Sequence, residues 1–187
     1  MKTAVFVWIS LTLMSTCAFA AAAWEPPGAL VNTVRLATER FQDVEEATEA
    51  GYADPLQCVS GPEEGAMGVH FANADLLGDG VLDPQHPELL VYEPKDGQLH
   101  LVAVEYLVFA EAWDANNPAP PSLLGHLFHY VGSPNRYGLP AFYELHVWAW
   151  MHNPRGTFAD WNPLVSCAGY LPGGTVPSSA GAHGAGH

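Results

Sequence analysis

The chain has 187 residues and a formal net charge of −14, from 20 acidic and 6 basic side chains, and it contains 9 histidines. A surface so acidic and so poor in lysine repels phosphate groups, so we expect neither nucleic acid nor an anionic membrane as a partner. The length and the 49% hydrophobic content are sufficient for one domain with a sizeable core.

The first 20 residues have the pattern of a secretory signal peptide. Lys2 precedes a short apolar run over residues 4–14, and Ala18-Phe19-Ala20 is typical of a cleavage site. This apolar run is too short to span a bilayer. We therefore predict cleavage after Ala20, no membrane insertion, and a periplasmic or secreted protein. Cys17 leaves a lipoprotein as the alternative.

We expect residues 21–171 to form a single globular domain and residues 172–187 to form a flexible Gly/Ala/His tail. Two cysteines, Cys58 and Cys167, remain after the leader. In an oxidising compartment they most simply form one disulfide, which would join the start of the folded body to its end. Thiolate ligation of a metal is the alternative, and it is disfavoured because neither cysteine has a second Cys or His nearby in sequence.

The N-terminal part of the predicted body is helical. Apolar residues recur at every third or fourth position from Gly28 to about Ala50, which predicts one amphipathic helix. Residues 52–62 have the composition of a loop. Residues 75–84 indicate a turn with Asx hydrogen bonds. The acidic residues of this stretch faintly resemble a calcium loop, but they do not have the spacing that calcium ligands require.

Two stretches in the middle of the chain predict β-strands. Residues 65–71 form a glycine-led strand with His70 on the opposite face from its aliphatic neighbours. Residues 88–110 form a β-hairpin around an Asp-Gly turn. In its second arm, the alternation places Glu105 on the same strand face as Leu99, Leu101 and other apolar residues. A carboxylate on such a face costs several kcal/mol unless it is neutralised, paired or bound to a cation, so Glu105 needs a partner.

Residues 144–152 alternate strictly, which predicts a strand with one aliphatic face and one face of carboxylate, imidazole and indole side chains. Two tryptophans flanked by histidines are unusual on a solvated face. We therefore interpret this face as the wall of a pocket. Trp148, Trp150 and Tyr143 are the predicted ligand-binding aromatic residues.

The predicted body contains seven histidines but only five Lys and Arg residues. Neutral imidazole together with carboxylate is the common ligand set of zinc, iron, manganese and copper. His70, Glu105 and His146 each lie within a predicted strand among apolar neighbours. We predict that these three bind a divalent transition metal, whose identity stays open, and that His126 or His129 completes the site.

Three or four protein ligands leave a coordination position for water, oxygen or substrate. His129 and Glu144 are the predicted catalytic residues, and either could serve as the acid or base beside it. The sequence thus predicts an exported metal-binding protein, most simply a metal-dependent oxidoreductase or hydrolase that acts on a small molecule. The alternatives are a metal-free binding module for a small hydrophobic or cyclic ligand, and an envelope interaction protein with an aromatic contact surface.

The stretches GAMGVHF (65–71), LHVWAWMHNP (145–154) and WNPLVSC (161–167) resemble an uncharacterised family of exported bacterial domains. This resemblance implies only a bacterial exported protein. The chain also loosely resembles cupins, whose small barrels hold a metal with histidines and a glutamate. The closely spaced histidine pair of cupins is missing, so no ligand position transfers. We expect an α+β fold in which an N-terminal helix packs on an antiparallel sheet that is curled or closed into a small barrel.

Overall fold

The structure, a computed structural model, describes residues 28–170, so the predicted signal peptide and C-terminal tail lie outside the described residues. Its helices are α1 (Ala29–Thr38), a 3-10 helix (Glu39–Gln42), α2 (Val44–Glu49), α3 (Ala74–Asp79) and α4 (Ala110–Asp114). Its strands are β1 (Tyr52–Gly61), β2 (Gly65–Asn73), β3 (Leu89–Lys95), β4 (Gln98–Phe109), β5 (Ser122–Leu123), β6 (His126–Leu127), β7 (His129–Val131) and β8 (Phe142–Val147). None of the described helices combines the length and apolar character that a membrane crossing requires.

Six of the strands form one antiparallel sheet in the order β1-β2-β3-β4-β8-β7. Strands β5 and β6 form a separate two-stranded sheet. The predicted α+β class with an antiparallel sheet is therefore confirmed. Over residues 28–170, β1 and β7 are the two edges of the large sheet, and no closed barrel is found.

The N-terminal helices cover one face of the sheet. Leu30 and Val34 of α1 are buried in the same core as Val69 and Leu90 of the sheet. The predicted single helix to Ala50 is nevertheless wrong, because it is interrupted between the 3-10 helix and α2. Asp43 is extended there, and its carboxylate accepts a hydrogen bond from the backbone N–H of Glu45, which caps α2.

One predicted irregular segment is a strand, and another is a helix in its first half. Residues 52–61, predicted as a loop, form the edge strand β1, which pairs antiparallel with β2 in a register that shifts between Ala53 and Ser60. The predicted turn at 75–84 begins with α3, which Asn73 caps by accepting hydrogen bonds from the first turn and which ends at left-handed Gly80. The predicted Asx hydrogen bonds are present after α3, where Asp79 and Asp83 each accept from a backbone N–H two residues ahead.

The predicted β3–β4 hairpin is confirmed, and both turn residues, Asp96 and Gly97, have the positive φ that a tight hairpin turn of this kind requires. A bulge interrupts the ladder, since Val91 pairs with Ala103 whereas its neighbour Tyr92 pairs with Leu101. One extra residue in β4 reverses the side-chain alternation. Leu101 therefore faces the N-terminal helices, and the prediction that Leu99 and Leu101 share the face of Glu105 is wrong.

The predicted disulfide is confirmed. Cys58 in β1 is bonded to Cys167 in the C-terminal loop, with a Cα–Cα distance of 5.7 Å and a sequence separation of 109 residues. In the chain-entropy model, closing a loop of this size contributes on the order of 4–5 kcal/mol to the free energy of unfolding. The bond holds the C-terminal loop against the sheet.

Candidate metal centre

Strands β2, β4 and β8 bring His70, Glu105 and His146 together on the sheet face opposite the N-terminal helices, with β3 lying between β2 and β4. Glu105 of β4 and His146 of β8 are direct cross-strand partners, and His70 reaches them from β2. The Nε2 atoms of His70 and His146 lie 3.3 and 3.6 Å from the same Glu105 oxygen, Oε2. All three residues are at most 4% exposed. We call them the inner triad.

The spacing of the inner triad fits a shared cation. A tetrahedral ion about 2.0–2.2 Å from its ligands holds the ligand atoms roughly 3.3–3.6 Å apart. One donor atom from each of the three residues lies within 4.8 Å of the other two. Both ring nitrogens of His146 are buried without a hydrogen bond, although buried polar atoms nearly always have one. Its Nε2 is therefore available as a ligand.

Burial determines the protonation of the site. It lowers the pKa of His70 to about 4 and that of His146 to about 3, because a buried imidazolium loses its hydration. Both rings are therefore neutral at pH 7, which is the form that binds a metal. Burial also raises the pKa of Glu105 well above its ordinary value, and that of Glu144 to about 7. The neighbouring carboxylate of Glu144 raises the pKa of Glu105 further, because two negative charges would repel each other.

A second set of side chains that could hold a metal ion, the outer group, adjoins the inner triad and consists of His129, Glu144 and Asp160. His129 of β7 is the cross-strand partner of Glu144 in β8. Its Nδ1 atom lies 3.8 Å from Oε1 of Glu144 and 3.1 Å from Oδ2 of Asp160. Within residues 28–170, the ion pairs of these carboxylates involve histidine and neither Lys nor Arg.

Asp160 is the site residue that the sequence did not reveal. Its only signal is its position next to Trp161 in a short aromatic segment, far in sequence from the other ligands. The structure places this segment as a loop against the end of β8. There Trp148 donates a backbone hydrogen bond to the Thr157 carbonyl and an indole hydrogen bond to the Ala159 carbonyl.

These same hydrogen bonds show why the predicted tryptophan wall is wrong. The ladder of β8 ends at Val147, because the backbone N–H of Trp148 bonds the following loop. Trp148 is then buried with apolar residues on the triad side of the sheet. Trp150 packs instead with the helix-side core, where its indole N–H donates to the Thr38 hydroxyl at 3.1 Å.

Two further predicted site residues lie outside both ligand groups. Tyr143 faces the helix side of the sheet, and its hydroxyl hydrogen-bonds Asp114 at 3.1 Å. The ring of His126 lies against Phe158, with the centroids 3.9 Å apart. His126 and His129 belong to separate short strands rather than to a helix, so only His129 joins a ligand group.

An apolar cavity of about 180 Å³ lies beside the inner triad. Its polar end is formed by His70, Glu105 and Glu144, and its apolar walls include Leu56, Met67, Leu77, Leu107, Tyr137 and Leu139. The loop between β7 and β8 forms one side, and the Tyr137 hydroxyl contacts the Met67 sulfur at 3.4 Å. Cavities on the order of 150 Å³ bind benzene, so this one has the size for a single ring or a short alkyl chain.

No protein-family model, curated protein or solved structure matches this chain. These comparisons give no support to the resemblances to exported bacterial domains and to cupins. The arrangement of the ligand groups and the cavity is what bears on function.

Proposed function

We propose that this chain is an exported protein whose inner triad binds one divalent transition metal ion at the polar end of the cavity. One observation carries the proposal: three buried ligand atoms from separate strands converge, and the Nε2 atom of His146 has no hydrogen bond. Two imidazoles and a carboxylate suit zinc, iron, manganese or copper. The disulfide fits an oxidising compartment outside the cytoplasm.

We further propose that the protein is a metal-dependent enzyme for a small, mainly apolar molecule. An ion with three protein ligands and an open position supplies Lewis-acid polarisation of an oxygen atom, or an activated water. The apolar walls of the cavity hold the hydrocarbon part of the substrate and exclude bulk water. When only the inner site is filled, Glu144, whose pKa is about 7, exchanges a proton with the substrate, and exposed His129 connects Glu144 to solvent.

Metal analysis of the full chain tests the proposal. The tail histidines His183 and His187 are replaced by alanine, because they can bind metal independently of the fold. We expect at least about one equivalent of transition metal per chain, and chelation is expected to lower the melting temperature reversibly. A chain that contains no metal, and that zinc, manganese, iron and copper all fail to stabilise, would contradict the metal site.

The cavity also supports a second function, a metal-free binding module. In that case Glu105 stays protonated beside His70, 3.3 Å away, and the cavity alone holds an apolar ligand. The same metal analysis separates the two functions. Tight binding of a small aromatic molecule by the metal-free chain, with no metal in the purified protein, would favour the binding module.

Filling the cavity provides a prediction about the substrate. Ala72 lines the cavity two residues from His70. We expect Ala72→Phe to weaken binding of toluene at least about tenfold, at a cost of roughly 1–3 kcal/mol in the free energy of unfolding. Toluene binding is measured by NMR titration of the zinc-loaded chain. Zinc content should stay unchanged, and unchanged toluene affinity would show that the cavity does not hold such molecules.

A further inference from the structure

We infer that the outer group, His129, Glu144 and Asp160, is a second divalent-cation site, so that the chain holds a pair of adjacent metal ions. This inference rests on the proposed function, because the two sites adjoin each other. The ring of His146 lies between them, and Glu105 of one site neighbours Glu144 of the other. The outer group offers one imidazole nitrogen and two carboxylates, with donor atoms within 4.8 Å of one another. This ligand set suits zinc or manganese.

The ring of His146 connects the two groups and supplies independent support for the inference. It is fully buried, and neither of its nitrogens has a hydrogen bond. Its Nε2 atom lies 3.6 Å from Glu105, and its Nδ1 atom lies 3.8 Å from Oδ1 of Asp160. A fully buried and unsatisfied nitrogen is therefore aimed at the outer group. Glu144 of the outer group also lines the same cavity end as Glu105 and His70 of the inner triad.

The fold holds Asp160 in place. Its loop is fixed by the Trp148 hydrogen bonds and by a reciprocal backbone pair between Ala66 and Asn162, at 3.2 and 3.0 Å. Gly65 permits this approach, because a Cβ atom there would collide with the Asn162 carbonyl oxygen. Asp160 is consequently positioned before any ion binds, which lowers the entropic cost of forming a site.

Charge and exposure indicate how the two sites differ. Three carboxyl groups meet here, namely Glu105, Glu144 and Asp160, so one divalent ion leaves the pair of sites negative when all three ionise. The outer site includes the exposed side chain of His129, at 63%, whereas the inner ligands are buried. We expect the outer ion to bind more weakly and to exchange faster. When it binds, Glu144 and His129 are its ligands and no longer transfer protons.

Zinc titration of the metal-stripped full chain, with both tail histidines replaced, tests the inference. We expect two binding phases of about one equivalent each, and Asp160→Asn or His129→Ala should weaken the second phase at least about tenfold. His129 is exposed, so His129→Ala tests the site even if Asp160→Asn disturbs the loop. His86→Ala is the matched control, because the His86 side chain is as exposed as that of His129, at 65% against 63%, and lies 2.8 Å from Asp83 outside the site. It should keep both phases.

The outcomes separate the two proposals. A single phase that Asp160→Asn weakens would overturn the second site and leave the inner site intact, since Asp160 would then only orient His146. Two phases that survive both outer substitutions would also overturn it. No zinc binding in any variant would remove the proposed function and the inference together.

Discussion

Replacing His146 by leucine is expected to lower the affinity for the inner metal ion by at least about 100-fold, because even outer-shell partners of a metal contribute 10- to 100-fold. The same change should not lower the stability of the metal-free chain. Leucine is similar in size to histidine, and the imidazole has two buried nitrogens without hydrogen bonds. Leaving such groups unsatisfied costs about 1–3 kcal/mol each, so their removal offsets the change in packing.

The measurement combines zinc competition with a chromophoric chelator and thermal unfolding of stripped protein. Glu105→Gln and His70→Ala should also lose zinc affinity, and exposed His86→Ala should retain it. A His146→Leu chain that keeps its zinc affinity would exclude His146 as a ligand. A variant that loses both zinc and metal-free stability would assign His146 a structural role.

Zinc affinity of the inner site is expected to rise about tenfold for each pH unit between pH 5.5 and 7, because binding displaces one proton. That proton is on Glu105, whose pKa burial raises well above its ordinary value of 4.5. The histidines contribute no protons in this interval, since their pKa values of about 4 and about 3 keep both rings neutral. Solvent-exposed histidine ligands would instead steepen the dependence below pH 6.5.

Competition titrations at half-unit pH steps measure this slope. An affinity independent of pH in this interval would show that Glu105 is already ionised in the metal-free chain. A change of about a hundredfold or more per pH unit would show that the histidines are protonated and hence accessible to water.

The metal-free chain should become less stable as the pH rises, whereas its zinc affinity should increase. Glu105, Glu144 and Glu88 have raised pKa values in the folded state, about 7 for Glu144 and about 8 for Glu88. Above pH 5 the folded chain therefore retains protons that the unfolded chain has released, and these groups reduce stability as the pH rises. His70 and His146 oppose this trend below pH 6.5, because these histidines bind protons in the unfolded chain but stay neutral in the folded chain. Stability should consequently decline between pH 6.5 and 8.

The sequence predicted that His70, Glu105 and His146 meet, which the structure shows. His70, Glu105 and His146 are polar residues within apolar strands, and a polar residue there must meet a partner on the buried face. The hairpin and the disulfide were predictable for similar local reasons, from an Asp-Gly turn and from two remaining cysteines.

The wrong predictions have physical causes that the local sequence pattern does not contain. The alternation at 144–152 continues past Val147, but the backbone of Trp148 bonds the Thr157 loop instead of the sheet, which separates the two tryptophans. The bulge in β4 likewise reverses its parity. Asp160 joins the site only because a loop docks on β2 and β8, and nothing in its own sequence neighbourhood indicates that contact.

X-ray absorption at the zinc edge, on the full chain loaded with one equivalent and lacking both tail histidines, tests the inner site most directly. The proposal predicts two imidazole nitrogens and at least one carboxylate oxygen at about 2.0–2.2 Å from zinc. It also predicts that one imidazole contribution disappears in His146→Leu. A zinc ion surrounded mainly by water, or with a spectrum identical in His146→Leu, would contradict a metal site built from His70, Glu105 and His146.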